Sequence, residues 1–302
     1  MITALLGIQK PLVLAPMGFV SGGALAAAVT LAGGFGLIGA GYGDPEWIRR
    51  EFDRANGARV GIGFITWSLA KQPGLLDFAL GRKPAAVMLS FGDPAPFAEK
   101  IRASGAKLIC QVQDLATTRQ ALAAKPDVLV AQGTEAGGHG GTRALFALLP
   151  AVKDVAGDIP VLAAGGIGDR RGVEGAMALG AAGVLAGTRF SASDEALTAP
   201  RAKQRIVETS GDATVRTTVF DVVRGYDAGW ASLTGRALRN RFTDAWHGRE
   251  QELIASRETE ERKYRQAVER QDFDTALVFA GEGVDLIDSV LPAAEIVRRM
   301  VG

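Results

Sequence analysis

A (β/α)8 TIM barrel with an appended, smaller C-terminal subdomain is the architecture expected of this chain. Eight short apolar runs recur through its first 190 residues, amphipathic alanine-rich stretches separate them, and the composition changes near residue 200. The runs are continuously apolar and rich in β-branched and aliphatic side chains, which marks strands buried on both faces, as in a parallel sheet. Strands alternating with helical stretches at this spacing read as β–α units. A doubly wound sheet is the competing architecture, and it wants a G-x-G-x-x-G turn after its first strand. Here Gly39-Ala40-Gly41-Tyr42-Gly43 follows the second run instead, with the wrong spacing.

Taken in order, the runs span residues 12–18, 34–42, 60–67, 85–91, 107–112, 128–133, 160–168 and 183–190. The helical stretches between them include 45–56, 94–104, 115–124 and 170–179, with Asp114 and Asp169 placed as N-caps of the last two. Residues 1–200 thus form the barrel. Residues 201–276 are charged and hold two of the four tryptophans, Trp230 and Trp246; they are expected to form a cap or substrate subdomain. Within them 214–223 alternates like a strand and 249–270 reads as one long, highly charged helix. Residues 277–302 are expected to return to the barrel through an amphipathic helix at 286–300.

Charge and composition narrow the function. Lys and Arg total 34 against 33 Asp and Glu, and no basic stripe with interleaved aromatics appears, so nucleic acid is not an expected partner. The lone Cys110 can form no internal disulfide, fits a reducing compartment, and reads as a small core residue. Pro11 and Pro16 interrupt the N-terminal apolar stretch, so it does not read as a signal peptide. No run reaches the roughly 18 apolar residues of a membrane span. A cytoplasmic protein without membrane or metal is the expectation.

In a barrel of this class the active site lies at the C-terminal ends of the strands. The sixth run leads into Gln132-Gly133-Thr134-Glu135-Ala136-Gly137-Gly138-His139-Gly140-Gly141, a glycine-rich loop carrying one of only two histidines. Glycine lets backbone approach a ligand, and imidazole titrates near neutral pH, so the loop proposes proton handling beside a bound cofactor. The seventh run ends in Gly165-Gly166 and the eighth in Gly187-Thr188, each followed by a helix, where barrels often hold a phosphate. The other strand ends are largely Gly, Ala, Met, Phe and Gln, a surface for a flat apolar ring, with Gln111 and Gln132 as amide donors and acceptors. Such a combination suits a flavin mononucleotide better than a phosphosugar. His247, in the charged tail, reads as an exposed or packing residue.

Ala15-Pro16-Met17, the Glu135–His139 stretch, Ala163-Ala164-Gly165-Gly166-Ile167 and Gly187-Thr188-Arg189-Phe190 together resemble the nitronate monooxygenases, formerly called 2-nitropropane dioxygenases. The resemblance covers residues 10–195, and the stretch 236–250 is also similar to tails in that group. It implies an FMN-dependent barrel that oxidises alkyl nitronates with dioxygen as co-substrate. It also implies FMN contacts at Ala15, Pro16, Met17, Gly63, Gln111, Gln132, Gly137, Gly165, Gly166, Leu185, Ala186, Gly187 and Thr188, with His139 as the catalytic residue. Two departures stand out: many members carry Asn where this chain has Gly63, and Arg where it has Gly140. Rival readings are an FMN-dependent enoyl-thioester reductase working with a nicotinamide and an acyl carrier, an NAD(P)H:quinone reductase, and a flavin-binding module without turnover. A homodimer is the expected assembly.

Overall fold

The computed structural model describes residues 1–230 and 233–302. Eight parallel strands form the central sheet: β1 (Leu12–Leu14), β2 (Leu37–Gly39), β3 (Gly61–Ile65), β4 (Ala86–Ser90), β5 (Lys107–Val112), β6 (Val128–Gln132), β8 (Val161–Ala164) and β9 (Gly183–Ala186). A short β7 (Gly138–Gly140) lies outside that sheet. Its order is β1-β9-β8-β6-β5-β4-β3-β2, and a parallel bridge between Val13 and Phe35 joins the two ends, closing a (β/α)8 barrel.

Side chains alternate between two layers along each strand. Val13, Leu37, Met88, Ile109, Val130, Leu162 and Leu185 fill the barrel interior, while Leu14, Ile38, Leu89, Cys110, Leu129 and Val184 face the surrounding helices. Cys110 is buried in that outer layer, and burial pushes its thiol up to about 12, as expected of an unreactive core residue. The helix Ile2–Leu6 plugs the N-terminal end of the barrel: Ile2 and Leu6 join the interior cluster, and Arg59, just before β3, donates to the carbonyl of Leu6.

Local sequence explains where the helices begin. The Asp114 side chain accepts from the Thr117 N–H at 2.7 Å and caps Leu115–Ala123; Asp169 accepts from the Gly172 N–H at 3.2 Å and caps Arg170–Ala178. The run at 34–42 shortens to β2; just before it Gly36 packs against helix Gly23–Leu31, where a Cβ would stand 2.0 Å from the Ala26 carbonyl oxygen.

The glycine loop and the C-terminal region depart from expectation in four places. First, the tip of the glycine loop is not a loop. As β7 it pairs antiparallel with β11 (Thr234–Leu238), which pairs in turn with β10 (Thr214–Thr217). Second, the expected strand at 214–223 stops at Thr217, and Val219–Arg224 is a helix. Its Val219, Phe220, Val222 and Val223 fall at helical spacing into a cluster with Phe242, Leu253 and Tyr264. Third, the long helix at 249–270 is two helices, Glu250–Ala255 and Arg257–Glu269, divided at Ser256, where Arg257 turns to pair with Asp227 at 2.8 Å. Fourth, the last helix starts at Ala293 rather than 286, because Pro292 lacks the N–H and the freedom to continue a helix backwards. Helix Ala293–Val301 packs between Gly23–Leu31 and Arg170–Ala178 and completes the outer ring of helices.

Candidate active site

Alternation along the strands carries the interior layer one step further, to the C-terminal mouth of the barrel, where Ala15, Gly63, Ser90, Gln111, Gln132, Ala164 and Gly187 stand. Three amides meet there. The Oε1 of Gln132 accepts from Nε2 of Gln111 at 3.1 Å and from Nε2 of Gln113 at 3.0 Å, and its own Nε2 donates to the carbonyl of His139 at 3.0 Å. The expected pair Gln111 and Gln132 is therefore in contact, and Gln113 is an addition. Its signal was available: it lies two residues beyond Gln111, on the same face of β5's continuation.

His139 is buried, at 7% exposure, in the middle of β7 opposite Gly235. Its Nε2 lies 2.9 Å from Oδ2 of Asp221, while Nη2 of Arg224 donates to the other carboxylate oxygen at 3.0 Å. The ring of Trp230 stacks on the imidazole with centroids 3.5 Å apart and planes 3° off parallel; Phe279 and Phe91 meet it edge-on at 5.4 and 6.5 Å. Burial holds the imidazole pKa below its usual value; the Asp221 hydrogen bond and charge oppose this, and the charges of Arg224 and Arg216 add to it. His139 is therefore neutral near pH 7, with a lone pair to accept a proton.

An aromatic wall rises beside it from the ends of β2, β3 and β4. Tyr42 stacks on Tyr226 at 3.9 Å and accepts at its hydroxyl from Nε1 of Trp230 at 3.1 Å; Trp67 and Phe91 meet Trp230 edge-on at 5.4 and 5.0 Å. Phe91 holds φ at 65°, a region a bulky side chain rarely adopts and one that clusters at functional sites. At the end of β3, Thr66 Oγ1 and Trp67 Nε1 are buried polar atoms without a partner among the described residues.

Two arginines fasten the His139 strand. Arg216 on β10 donates through Nε to the carbonyl and hydroxyl of Thr134, and through Nη1 to the carbonyls of Gly140 at 3.2 Å and Thr234 at 2.6 Å. Its register partner Arg236 donates to the Thr134 carbonyl and pairs with Glu282 at 2.8 Å. Burial, and then the like charge of Arg236, bring the Arg216 guanidinium down to about 10. A Cβ on Gly140 would stand 2.9 Å from Nη2 of Arg216.

The other expected contacts divide. Ala15, Met17 and Gly187 are neighbours, since a Cβ on Gly187 would lie 3.3 Å from Sδ of Met17 and 3.4 Å from Cβ of Ala15. Pro16 sits against Gly63, with its Cγ 2.3 Å from where a Cβ on residue 63 would be. Gly165 and Gly166, at φ of 111° and 69°, are half-buried beside Ala136 and Glu135. Thr188 opens the four-residue helix Thr188–Ser191, and its hydroxyl accepts from the Gly281 N–H at 3.0 Å. Three positions face elsewhere. Leu185 belongs to the barrel interior, the Ala186 side chain points to the helices, and Gly137 packs on Ala280 and Gly281. His247 stands apart, 3.2 Å from the Thr217 hydroxyl in the charged tail. Asp221, Arg224, Arg216 and Trp230 carried no sequence signal, because their role arises only when the tail folds over the barrel.

Among the described residues no cluster of metal-type ligands is found, and no helix is long and apolar enough to cross a membrane.

The model of the nitronate monooxygenase family matches residues 1–59 and 66–302. This chain belongs to the nitronate monooxygenase family. Membership makes it an oxidoreductase of the monooxygenase type, as the motifs at the strand ends imply. Nitronate monooxygenase npaC of Metarhizium robertsii is 36% identical, over 96% of this chain and 90% of that protein. Among solved structures, FabK from Thermotoga maritima is similar at a TM-score of 0.82 and 29% identity, covering 99% of this chain and 94% of that one. The nitroalkane oxidase of Streptomyces ansochromogenes matches equally well, at 0.82 and 26%, covering 99% and 96%. The stretch the family model leaves unmatched, 60–65, contains Gly63.

Proposed function

We propose that this chain is an FMN-dependent enzyme that oxidises alkyl nitronates, and through His139 neutral nitroalkanes, with dioxygen to a carbonyl compound and nitrite. Gln132 carries the reading. It joins the amide cluster at the barrel mouth to the carbonyl of His139, so the cofactor platform and the proton acceptor form one site.

The residues at the mouth fit the cofactor. Ala15, Pro16, Met17, Gly63, Gln111 and Gln132 bring no fixed charge, and amides match the ring carbonyls and nitrogens of a flavin. The backbone N–H groups at Gly165, Gly166, Gly187 and Thr188, in the turns after the last two barrel strands, would hold the phosphate. A flavin held by these residues would supply the electron acceptor for the nitronate and the reactivity toward dioxygen.

The protein's own groups do the rest. The charges of Arg224 and Arg216 reach His139 beside that of Asp221, and two cations to one anion favour an anionic nitronate. A neutral His139 can accept the α-proton of a nitroalkane and make that nitronate in place. The aromatic wall of Tyr42, Trp67, Phe91 and Trp230 offers an apolar side to the alkyl chain.

The likeness to FabK favours one second reading, reduction of an enoyl thioester by a nicotinamide through the flavin. Mixing the flavin-loaded protein anaerobically with ethylnitronate, and separately with NADH or NADPH, divides the two. Rapid bleaching of the flavin by ethylnitronate is expected. Bleaching by the nicotinamides alone would transfer the site to a reductase, and bleaching by neither would leave a flavin-binding protein without turnover.

A further inference from the structure

We propose that Asp221 is the positioning residue that makes Nδ1 of His139 the proton-accepting atom. The inference rests on the reading of His139 as a base.

A carboxylate can only accept, so the 2.9 Å contact between Asp221 Oδ2 and His139 Nε2 requires the hydrogen to sit on Nε2. In a neutral imidazole the lone pair then belongs to Nδ1. Among the described residues Nδ1 has no hydrogen-bond partner, so its lone pair is not engaged by them. The carboxylate is itself held. Arg224 donates to its second oxygen at 3.0 Å and to the carbonyl of Phe220 at 2.9 Å, and the two residues of the ion pair stand one turn apart on helix Val219–Arg224.

The ring is fixed by packing as well. Trp230 covers one face at 3.5 Å and Phe279 closes an edge, so the imidazole cannot turn over to exchange its nitrogens without displacing them. The charged groups around it are few: Asp221 and Arg224 from that helix and Arg216 from β10, while β11 presents only Gly235. Asp221 is thus the one anion facing the imidazole.

In the step this serves, the α C–H bond of a neutral nitroalkane breaks and its proton goes to Nδ1. The electron pair stays on carbon and spreads onto the nitro oxygens, giving the nitronate. The imidazolium that forms lies between the Asp221 carboxylate and the face of Trp230, both of which favour a cation. A preformed nitronate skips this step.

Two measurements test the assignment. With the flavin-loaded enzyme, Asp221→Asn should lose about a hundredfold more kcat/KM on neutral nitroethane than on ethylnitronate, in the range of general-base effects. The rise of its nitroethane rate with pH should move toward acid, because the imidazolium has lost its anion, and Asp221→Glu should recover part of the loss. An equal loss on both substrates, or none, would overturn the proposal. The second measurement needs no variant at Asp221. With only two histidines in the chain, 15N resonances of the imidazoles, assigned with His247→Gln, report the tautomer directly. Hydrogen on Nε2 is expected for His139, and hydrogen on Nδ1 would overturn the assignment. A protein inert to nitro compounds that still shows the Nε2–H tautomer would sink the oxidation reading alone.

Discussion

Pro16 and Gly63 share one small volume at the mouth of the barrel. The pyrrolidine Cγ and Cβ lie 2.3 and 2.4 Å from the place a Cβ on residue 63 would take, and a ring cannot swing aside as a long side chain can. Glycine at 63 is therefore required by its neighbour, whatever a longer side chain could offer a ligand there. Gly63→Asn should cost about 1–3 kcal/mol as an overpacked core substitution. A denaturant midpoint shifted to lower concentration with an unchanged slope would show it; an unshifted midpoint would mean that Pro16 yields. The same scale explains why His139 and Gln132 were readable. A lone imidazole on glycines and an amide at a strand end need no tertiary partner to be suspicious. Asp221 and Arg224 gave no such sign, since 214–223 read as a strand, and two residues three apart on a strand fall on opposite faces.

At the level of elements, β7 is the piece that sequence reading missed. Gly138-His139-Gly140 has no strand propensity, and glycine weakens a strand interior. It becomes a strand because β11 supplies the ladder and Arg216 ties its carbonyls from β10. The helix Val219–Arg224 was misread for a related reason: a short apolar stretch alternates and also repeats at helical spacing, and only the cluster it joins decides between them. The barrel strands had no such ambiguity, because burial on both faces makes them continuously apolar. Arg216 should then matter more than a surface cation. Replacing it by Met removes its donation to the carbonyls of Gly140 and Thr234 and leaves that of Thr134 to Arg236 alone, at a cost of about 2–4 kcal/mol. Arg216→Lys should recover less than half of that, since one ammonium cannot span the fork of acceptors a guanidinium reaches. Thermal unfolding of the three proteins side by side would test it, and a lysine variant as stable as the parent would show that charge alone suffices.

On the scale of the whole molecule, the tail is folded back so that its residues complete a site the barrel only begins. Trp230 is the clearest contact between the two. It is 2% exposed, stacks on His139, donates to the hydroxyl of Tyr42 and meets Trp67 and Phe91 edge-on, so one side chain touches groups at the ends of β2, β3, β4 and the His139 strand. Such a residue ties the tail to the barrel and bounds the space beside the imidazole at once. Trp230→Ala should cost about 3–5 kcal/mol of stability, as large-to-small core substitutions of tryptophan do. It should also open room for longer chains: the ratio of kcat/KM for hexylnitronate over ethylnitronate should rise about tenfold, the discrimination a few methylenes command in an apolar pocket. Steady-state assays with both nitronates, run well below the variant's unfolding temperature, separate the two effects. A loss of stability with an unchanged ratio would make Trp230 a strut between tail and barrel and move the control of chain length elsewhere on the aromatic wall.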